Sequence, residues 1–124
     1  MKIYLNIFFS FLILNVNAQV GDNFNDGDFT NLPAWIGDNF DFNVNVAGQL
    51  QLNAAIPGNS FLSVPASLTN IDSCEWHFYI HLDFSPSSSN YARIYLSSDQ
   101  TDLQQALNGY YLQFGESLAN DAIE

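Results

Sequence analysis

The sequence predicts an all-β fold, an antiparallel β-sandwich of the jelly-roll type. Several short segments alternate apolar and polar residues, turn-forming residues separate them, and only one short stretch has helical spacing. A period of two places alternate side chains on opposite faces of a strand. Several such strands at short spacing, with turns between them, are typical of antiparallel sandwiches.

The clearest prediction is a β-hairpin. Residues 40–46 alternate strictly, which would place Phe40, Phe42, Val44 and Val46 on one face of a strand. After Ala47 and Gly48, residues 49–53 resume the alternation. Two alternating runs around a short link with glycine predict a hairpin with one buried and one wet face.

Further strands are predicted at residues 60–64, 74–84, 91–97 and 110–114. The 74–84 segment would be the longest, with a face of Cys74, Trp76, Phe78, Ile80, Leu82 and Phe84 opposite a face of Glu75, His77, Tyr79, His81 and Asp83. Burial of the apolar face would fix the register of this strand.

One helix of one or two turns is predicted over residues 101–107. Thr101 and Gln104 have the spacing of a capping box, and Asn108 with Gly109 forms a stop signal.

The first 18 residues have the pattern of a signal peptide. Lys2 precedes an apolar stretch, and Val16 and Ala18 supply the small side chains that precede a cut. The apolar run is shorter than the ~20 residues needed to span a membrane. We therefore expect cleavage after Ala18, a protein that is secreted or held at the cell surface, and one β-sandwich domain over residues 19–124.

Composition excludes several classes of protein. The chain has 13 acidic and 2 basic residues, a net charge of -11, 48% hydrophobic residues and one cysteine. This charge would repel a nucleic acid, and a lone Cys74 cannot form an intramolecular disulfide. The hydrophobic fraction favours a folded domain. Cleavage after Ala18 would remove Lys2 and leave Arg93 as the only strong base.

Three stretches carry a resemblance to a known family: residues 22–29 with Trp35, residues 48–52 and residues 83–93. They resemble the N-terminal segment of large exported proteins of the Bacteroidota, which often carry lamin-tail or gliding-motility-associated modules further on. The resemblance implies a concanavalin A-like, lectin- or glucanase-like sandwich. Because such sandwiches are longer than this chain, it also implies a domain incomplete at its C-terminus, with further domains downstream of Glu124.

The polar face of the 74–84 strand is the candidate ligand site, shared with residues of the two later strands. Its members are His77, Tyr79, His81, Asp83, Arg93, Tyr95 and Tyr111, with Gln113 beside them. Aromatic rings next to hydrogen-bonding groups suit sugars, whose C–H faces stack on the rings. The alternative is a half-solvated sheet face that binds nothing.

A calcium site is a second hypothesis. Asp26 and Asp28 could bind the ion together with backbone carbonyls, although the EF-hand pattern fails. The alternative is an Asx-rich turn before a strand. A zinc site on His77 and His81 is excluded because residues four apart on a strand are separated by about 13 Å.

The sequence does not provide the pair of carboxylates that an enzyme of this architecture would need. Glycosidases of this architecture need two close carboxylates, and Glu75, Glu116 and Glu124 are not spaced to pair along a strand. The sequence therefore favours a non-catalytic module that recognises carbohydrate. The alternatives are a structural spacer without a ligand and a fragment of a glycoside hydrolase.

Overall fold

The computed structural model describes residues 20–66 and 74–116, and these form an all-β structure with one short 3-10 helix. The elements are β1 Ile36–Gly37, the 3-10 helix Asn39–Asp41, β2 Phe42–Val44, β3 Leu50–Leu52, β4 Leu62–Ser63, β5 Ala92–Ser98 and β6 Gly109–Phe114. They pair as three two-stranded antiparallel sheets, β1 with β4, β2 with β3, and β5 with β6. The predicted all-β class is confirmed. The jelly-roll arrangement stays a prediction.

The described residues contain no helix of the length and apolar character that crossing a bilayer requires. The predicted signal peptide, residues 1–18, lies outside the described part of the chain, as does Glu124.

The β2–β3 hairpin is confirmed, with Phe42 opposite Leu52 and Val44 opposite Leu50. The Asn45 side chain closes the turn, since its Oδ1 accepts hydrogen bonds from the amides of Ala47 at 2.9 Å and Gln49 at 3.1 Å. Gly48 takes the left-handed conformation, with φ of 70°, which glycine adopts without a steric penalty.

The predicted apolar face of four residues is wrong at both ends. Phe40 lies in the 3-10 helix and Val46 in the turn, and both are fully exposed. Only Phe42 and Val44 remain on the strand.

The β1–β4 ladder lies beside a pair of aspartates. The amide of Phe61 donates to Asp38 Oδ2 at 2.9 Å, while the Asp38 amide donates to the Phe61 carbonyl oxygen, also at 2.9 Å. The Ser60 hydroxyl donates to Asp41 Oδ2 at 2.6 Å. These bonds tie the predicted strand at residues 60–64, observed as β4, to the 3-10 helix.

The β5–β6 ladder is the longest and contains a β-bulge. Tyr95 pairs with Tyr111 and Ser97 with Tyr110, so Leu96 has no partner in the ladder. An extra residue of this kind bends the strand and increases its twist.

The predicted helix at residues 101–107 is wrong, because a loop connects β5 to β6. Asp102 Oδ1 accepts from the Gln104 amide at 3.0 Å, and the Gln105 amide donates to the Asp102 carbonyl oxygen at 3.2 Å, which gives a single turn. Asp99 closes the loop: its two carboxylate oxygens accept from the backbone and side-chain nitrogens of Asn108, each at 2.8 Å.

The predicted strand at residues 74–84 is also wrong, since none of these residues belongs to a strand. The predicted alternation nevertheless persists in their exposure. Trp76 and Phe78, on the apolar side, are 41% and 46% exposed, whereas Tyr79, on the polar side, is 79% exposed. The segment thus turns its apolar side chains partly toward the protein without pairing its backbone in a ladder.

A small cluster around Trp35 organises the first part of the described chain. The Trp35 indole donates to Asp22 Oδ2 at 2.9 Å, and its ring packs on Phe24 with 5.9 Å between centroids. The Trp35 amide donates to the carbonyl oxygen of Phe29, which is the one buried apolar side chain among the described residues.

Candidate functional site

The register of β5 and β6 assembles the candidate site. Arg93 pairs with Gln113, and Tyr95 pairs with Tyr111. Residues two apart on a strand, and residues directly opposite on its neighbour, project from the same face of a sheet. The pairing therefore places these four side chains together.

The Arg93 guanidinium is held by three contacts. Its Cζ lies 4.7 Å from the ring centroid of Tyr91 and 4.7 Å from that of Tyr111. Its Nε donates a hydrogen bond of 2.8 Å to Gln113 Oε1. Gln113 is fixed in turn, since its Nε2 donates to the Gly115 carbonyl oxygen at 2.8 Å. The guanidinium is thus oriented by its neighbours although the residue is exposed.

The tyrosines continue this surface. The rings of Tyr95 and Tyr111 are tilted by 49°, with 5.2 Å between their centroids, a separation at which aromatic pairs attract. We refer to Tyr91, Arg93, Tyr95, Tyr111 and Gln113 as the tyrosine–arginine face. Tyr110, the neighbour of Tyr111 on β6, alternates to the other side of the sheet.

Sequence reasoning placed Arg93, Tyr95, Tyr111 and Gln113 on one face but did not include Tyr91. The signal that could have found it is the alternation Tyr91, Arg93, Tyr95 along one strand. Tyr91 directly precedes β5, so its ring can still fold over the guanidinium.

The four candidate residues of the 74–84 segment make no direct contact of these kinds with the tyrosine–arginine face. Within the described residues, no hydrogen bond, ion pair or ring contact joins His77, Tyr79, His81 or Asp83 to it. His77 Nε2 instead lies 2.8 Å from Glu75 Oε1, and both side chains are about four-fifths exposed. Such an exposed pair adds little stability.

One contact does bring the 74–84 segment against β5. The Trp76 indole donates to the Leu96 carbonyl oxygen at 2.9 Å. This hydrogen bond attaches the segment to β5 immediately before the candidate residues, which begin at His77.

The proposed calcium ligands are engaged in turns. Asp26 Oδ1 accepts from the Asp28 amide at 3.1 Å. Asp28 accepts from Asn31 Nδ2 through one oxygen and from the amide and hydroxyl of Thr30 through the other, each at 2.7 Å. In residues 20–66 and 74–116, no three His, Cys, Asp or Glu side chains are grouped so as to hold a metal. Calcium binding by Asp26 and Asp28 stays a prediction.

The same hydrogen bonds change the acidity of Asp28. Hydrogen bonds from the side-chain amide of Asn31 and from the backbone amide and hydroxyl of Thr30, in that order of effect, lower the pKa of the Asp28 carboxyl from 3.8 to about 2. Hydrogen bonds to a carboxylate favour its charged form. Asp28 is thus a charged turn residue with both oxygens occupied.

Comparison of the chain with family models, with curated proteins and with solved structures yields no match.

Proposed function

We propose that this protein is an exported, non-catalytic recognition module that binds carbohydrate on the tyrosine–arginine face. The observation that carries the proposal is Arg93, oriented against the rings of Tyr91 and Tyr111 on an exposed sheet surface. A hydrogen-bonding group held among aromatic rings has the composition of a sugar-binding surface.

The rigidity of the face supports this function. Binding is weakened when side chains must be ordered in the complex. Arg93 is already restrained by Gln113, and Tyr95 by its contact with Tyr111. The face therefore presents ring surfaces and polar groups that need little rearrangement to meet a ligand.

The wider setting is part of the same proposal. The segment with His77, Tyr79, His81 and Asp83 would extend the ligand surface from the point where Trp76 meets β5. We also propose that the domain is a concanavalin A-like jelly roll and that further domains follow Glu124. Cleavage after Ala18 would release the protein to the outside of the cell or to its surface.

A glycan array tests the proposal, with titration of any ligand found by NMR spectroscopy. Tyr111→Ala should lower the affinity at least about tenfold, since stacking on an aromatic ring and its contact with Arg93 are removed together. Tyr110→Ala is the matched control, because this tyrosine is on the same strand but the other side, and it should leave affinity unchanged. Tyr91→Ala provides a second test that lies outside the ladder.

The outcomes separate the competing functions. Failure of the folded protein to bind any glycan would overturn the proposal in favour of a spacer. Cleavage of a labelled β-glucan would overturn its non-catalytic part. His77→Ala reports separately on the 74–84 segment: unchanged affinity would confine the site to the tyrosine–arginine face.

A further inference from the structure

The charge of Arg93 has no acidic partner among the described residues. Lys2 and Arg93 are the only strongly basic residues of the chain, against 13 acidic ones. Even so, the contacts of Arg93 are two tyrosine rings and a neutral amide, and no carboxylate of residues 20–66 or 74–116 lies within 4 Å of its guanidinium nitrogens. In a chain with so many carboxylates, the lack of an acidic neighbour for Arg93 among these residues is unusual.

The contacts that hold Arg93 also leave its terminal nitrogens available. The hydrogen bond to Gln113 uses Nε, and the two tyrosine rings lie against the guanidinium, with 4.7 Å between Cζ and each ring centroid. No protein acceptor from the described residues is bonded to Nη1 or Nη2. These nitrogens carry paired N–H donors in one plane, a geometry that matches the two oxygens of a carboxylate.

We infer that the saccharide bound by the tyrosine–arginine face carries a carboxylate, as in a uronic acid, and that Arg93 binds this group through its terminal nitrogens. The inference rests on the proposed function and specifies its ligand class. The sugar ring would lie on the tyrosines while its carboxylate meets the guanidinium. Residues 3–124 contain no other lysine or arginine, so no second strong base within them can replace Arg93 in this role.

The test compares three ligands by calorimetry: an oligouronate, the same oligosaccharide with its carboxyl groups reduced to alcohols, and a sulfated neutral oligosaccharide of equal length. We expect the oligouronate to bind about 10- to 100-fold more tightly than its reduced form, as hydrogen bonds to a charged group allow. Arg93→Gln should abolish this difference in affinity between the oligouronate and its reduced form. Arg93→Lys should recover only part of it, since lysine keeps the charge but lacks the planar pair of donors.

The remaining outcomes distinguish this inference from the proposed function. Equal binding of the oligouronate and its reduced form would overturn the carboxylate assignment and leave carbohydrate binding intact. Tighter binding of the sulfated ligand would also overturn it. A carboxylate preference that survives in a folded Arg93→Gln variant would place the anion elsewhere. Absence of binding to all glycans, as on the array, would overturn the proposed function itself.

Discussion

The indole Nε1 of Trp76 donates a hydrogen bond of 2.9 Å to the backbone carbonyl oxygen of Leu96, the residue that β5 inserts at its bulge. A bulged residue is left out of the ladder pairing, so its carbonyl oxygen needs another partner. Trp76 supplies that partner from a segment that has no ladder of its own. The same hydrogen bond therefore gives the Leu96 carbonyl oxygen a donor and attaches residues 74–84 to the sheet.

Trp76→Phe should reduce the free energy of unfolding by about 0.5–1.5 kcal/mol, because it removes the donor while keeping an aromatic ring. Urea denaturation measures this loss, and faster amide exchange around the bulge should accompany it. Tyr79→Phe is the control, since it removes a hydroxyl from an exposed ring in the same segment. Equal stability of the two variants would contradict a structural role for the Trp76 bond.

Asp22→Asn should also destabilise the protein, by about 1 kcal/mol. The carboxylate accepts from the Phe24 amide through Oδ1 and from the Trp35 indole through Oδ2, each at 2.9 Å. Asparagine has a single acceptor oxygen and cannot reproduce both bonds. A double-mutant cycle with Trp35→Phe should give a coupling of about 0.5–1.5 kcal/mol.

The matched control for this cycle is Asp26→Asn. Asp26 accepts one hydrogen bond, from the Asp28 amide through Oδ1, which asparagine can keep. A loss of stability in Asp26→Asn as large as in Asp22→Asn, or zero coupling in the cycle, would refute the two-bond explanation.

Gly109→Ala should cost about 1–3 kcal/mol of stability, as overpacking does. A Cβ at this position would clash with the Ser97 carbonyl oxygen and lie 3.1 Å from Ser98 Cα, both of which are backbone atoms. At Gly58 a Cβ would meet nothing within 4 Å, so Gly58→Ala should remain within about 0.5 kcal/mol of the parent. Thermal unfolding of the two variants compares them; equal melting temperatures would count against the close approach at the start of β6.

Stability should fall with acidification below about pH 4. The pKa of Asp28 is lowered from 3.8 to about 2, mainly by the Asn31 amide, and the side chain and amide of Asn108 lower the pKa of Asp99. The folded state then binds fewer protons than the unfolded state between these values, so the contribution is complete above pH 4 and is lost toward pH 2. Asp28→Asn should make unfolding less pH-dependent in this range.

Carbon NMR titration of the carboxyl groups checks the assignment directly. A midpoint for Asp28 near its ordinary value of 3.8 would show that the Thr30 and Asn31 bonds do not persist in solution.

The local hairpin could be predicted because its determinants are adjacent in sequence. Phe42 and Val44 alternate on one strand, Leu50 and Leu52 on the other, and Gly48 provides the left-handed turn residue. The ends of the strands could not be predicted. Phe40 continues the alternation but lies in the 3-10 helix, where the Asp41 amide donates to the Asp38 carbonyl oxygen.

The error at residues 74–84 has a different origin. The alternation correctly indicated which side chains are less exposed, Trp76 and Phe78, and which are more exposed, such as Tyr79. A strand also needs a neighbouring backbone, and a periodic pattern does not specify one. The segment uses the Trp76 side chain, rather than a ladder, for its contact with β5.

The error at residues 101–107 reflects competition between side chains and a helix. The carboxylate of Asp102 takes the Gln104 amide, and that of Asp99 takes the Asn108 amide. Aspartate can satisfy backbone donors outside a helix, which favours turns over helical hydrogen bonds. The spacing of Thr101 and Gln104 carried no information about the hydrogen bonds that Asp102 and Asp99 accept.

The sequence predicted which residues of the candidate site share a strand face, but not which of them lie opposite each other. Period-two spacing placed Arg93 with Tyr95 on one strand, and Tyr111 with Gln113 on another. Which residues face each other depends on register, and the bulge at Leu96 shifts that register beyond Tyr95. The ring contacts of Arg93 follow from the pairing, so they became visible only with the sheet.

The ladders also differ in how they are nested along the chain. β2 and β3 are joined by a short turn, whereas β1 and β4 lie on either side of that hairpin and enclose it. Forming the inner hairpin shortens the effective loop that the outer pair must close, and closing a shorter loop loses less chain entropy. We therefore expect the β2–β3 hairpin to form before the hydrogen bonds between Asp38 and Phe61.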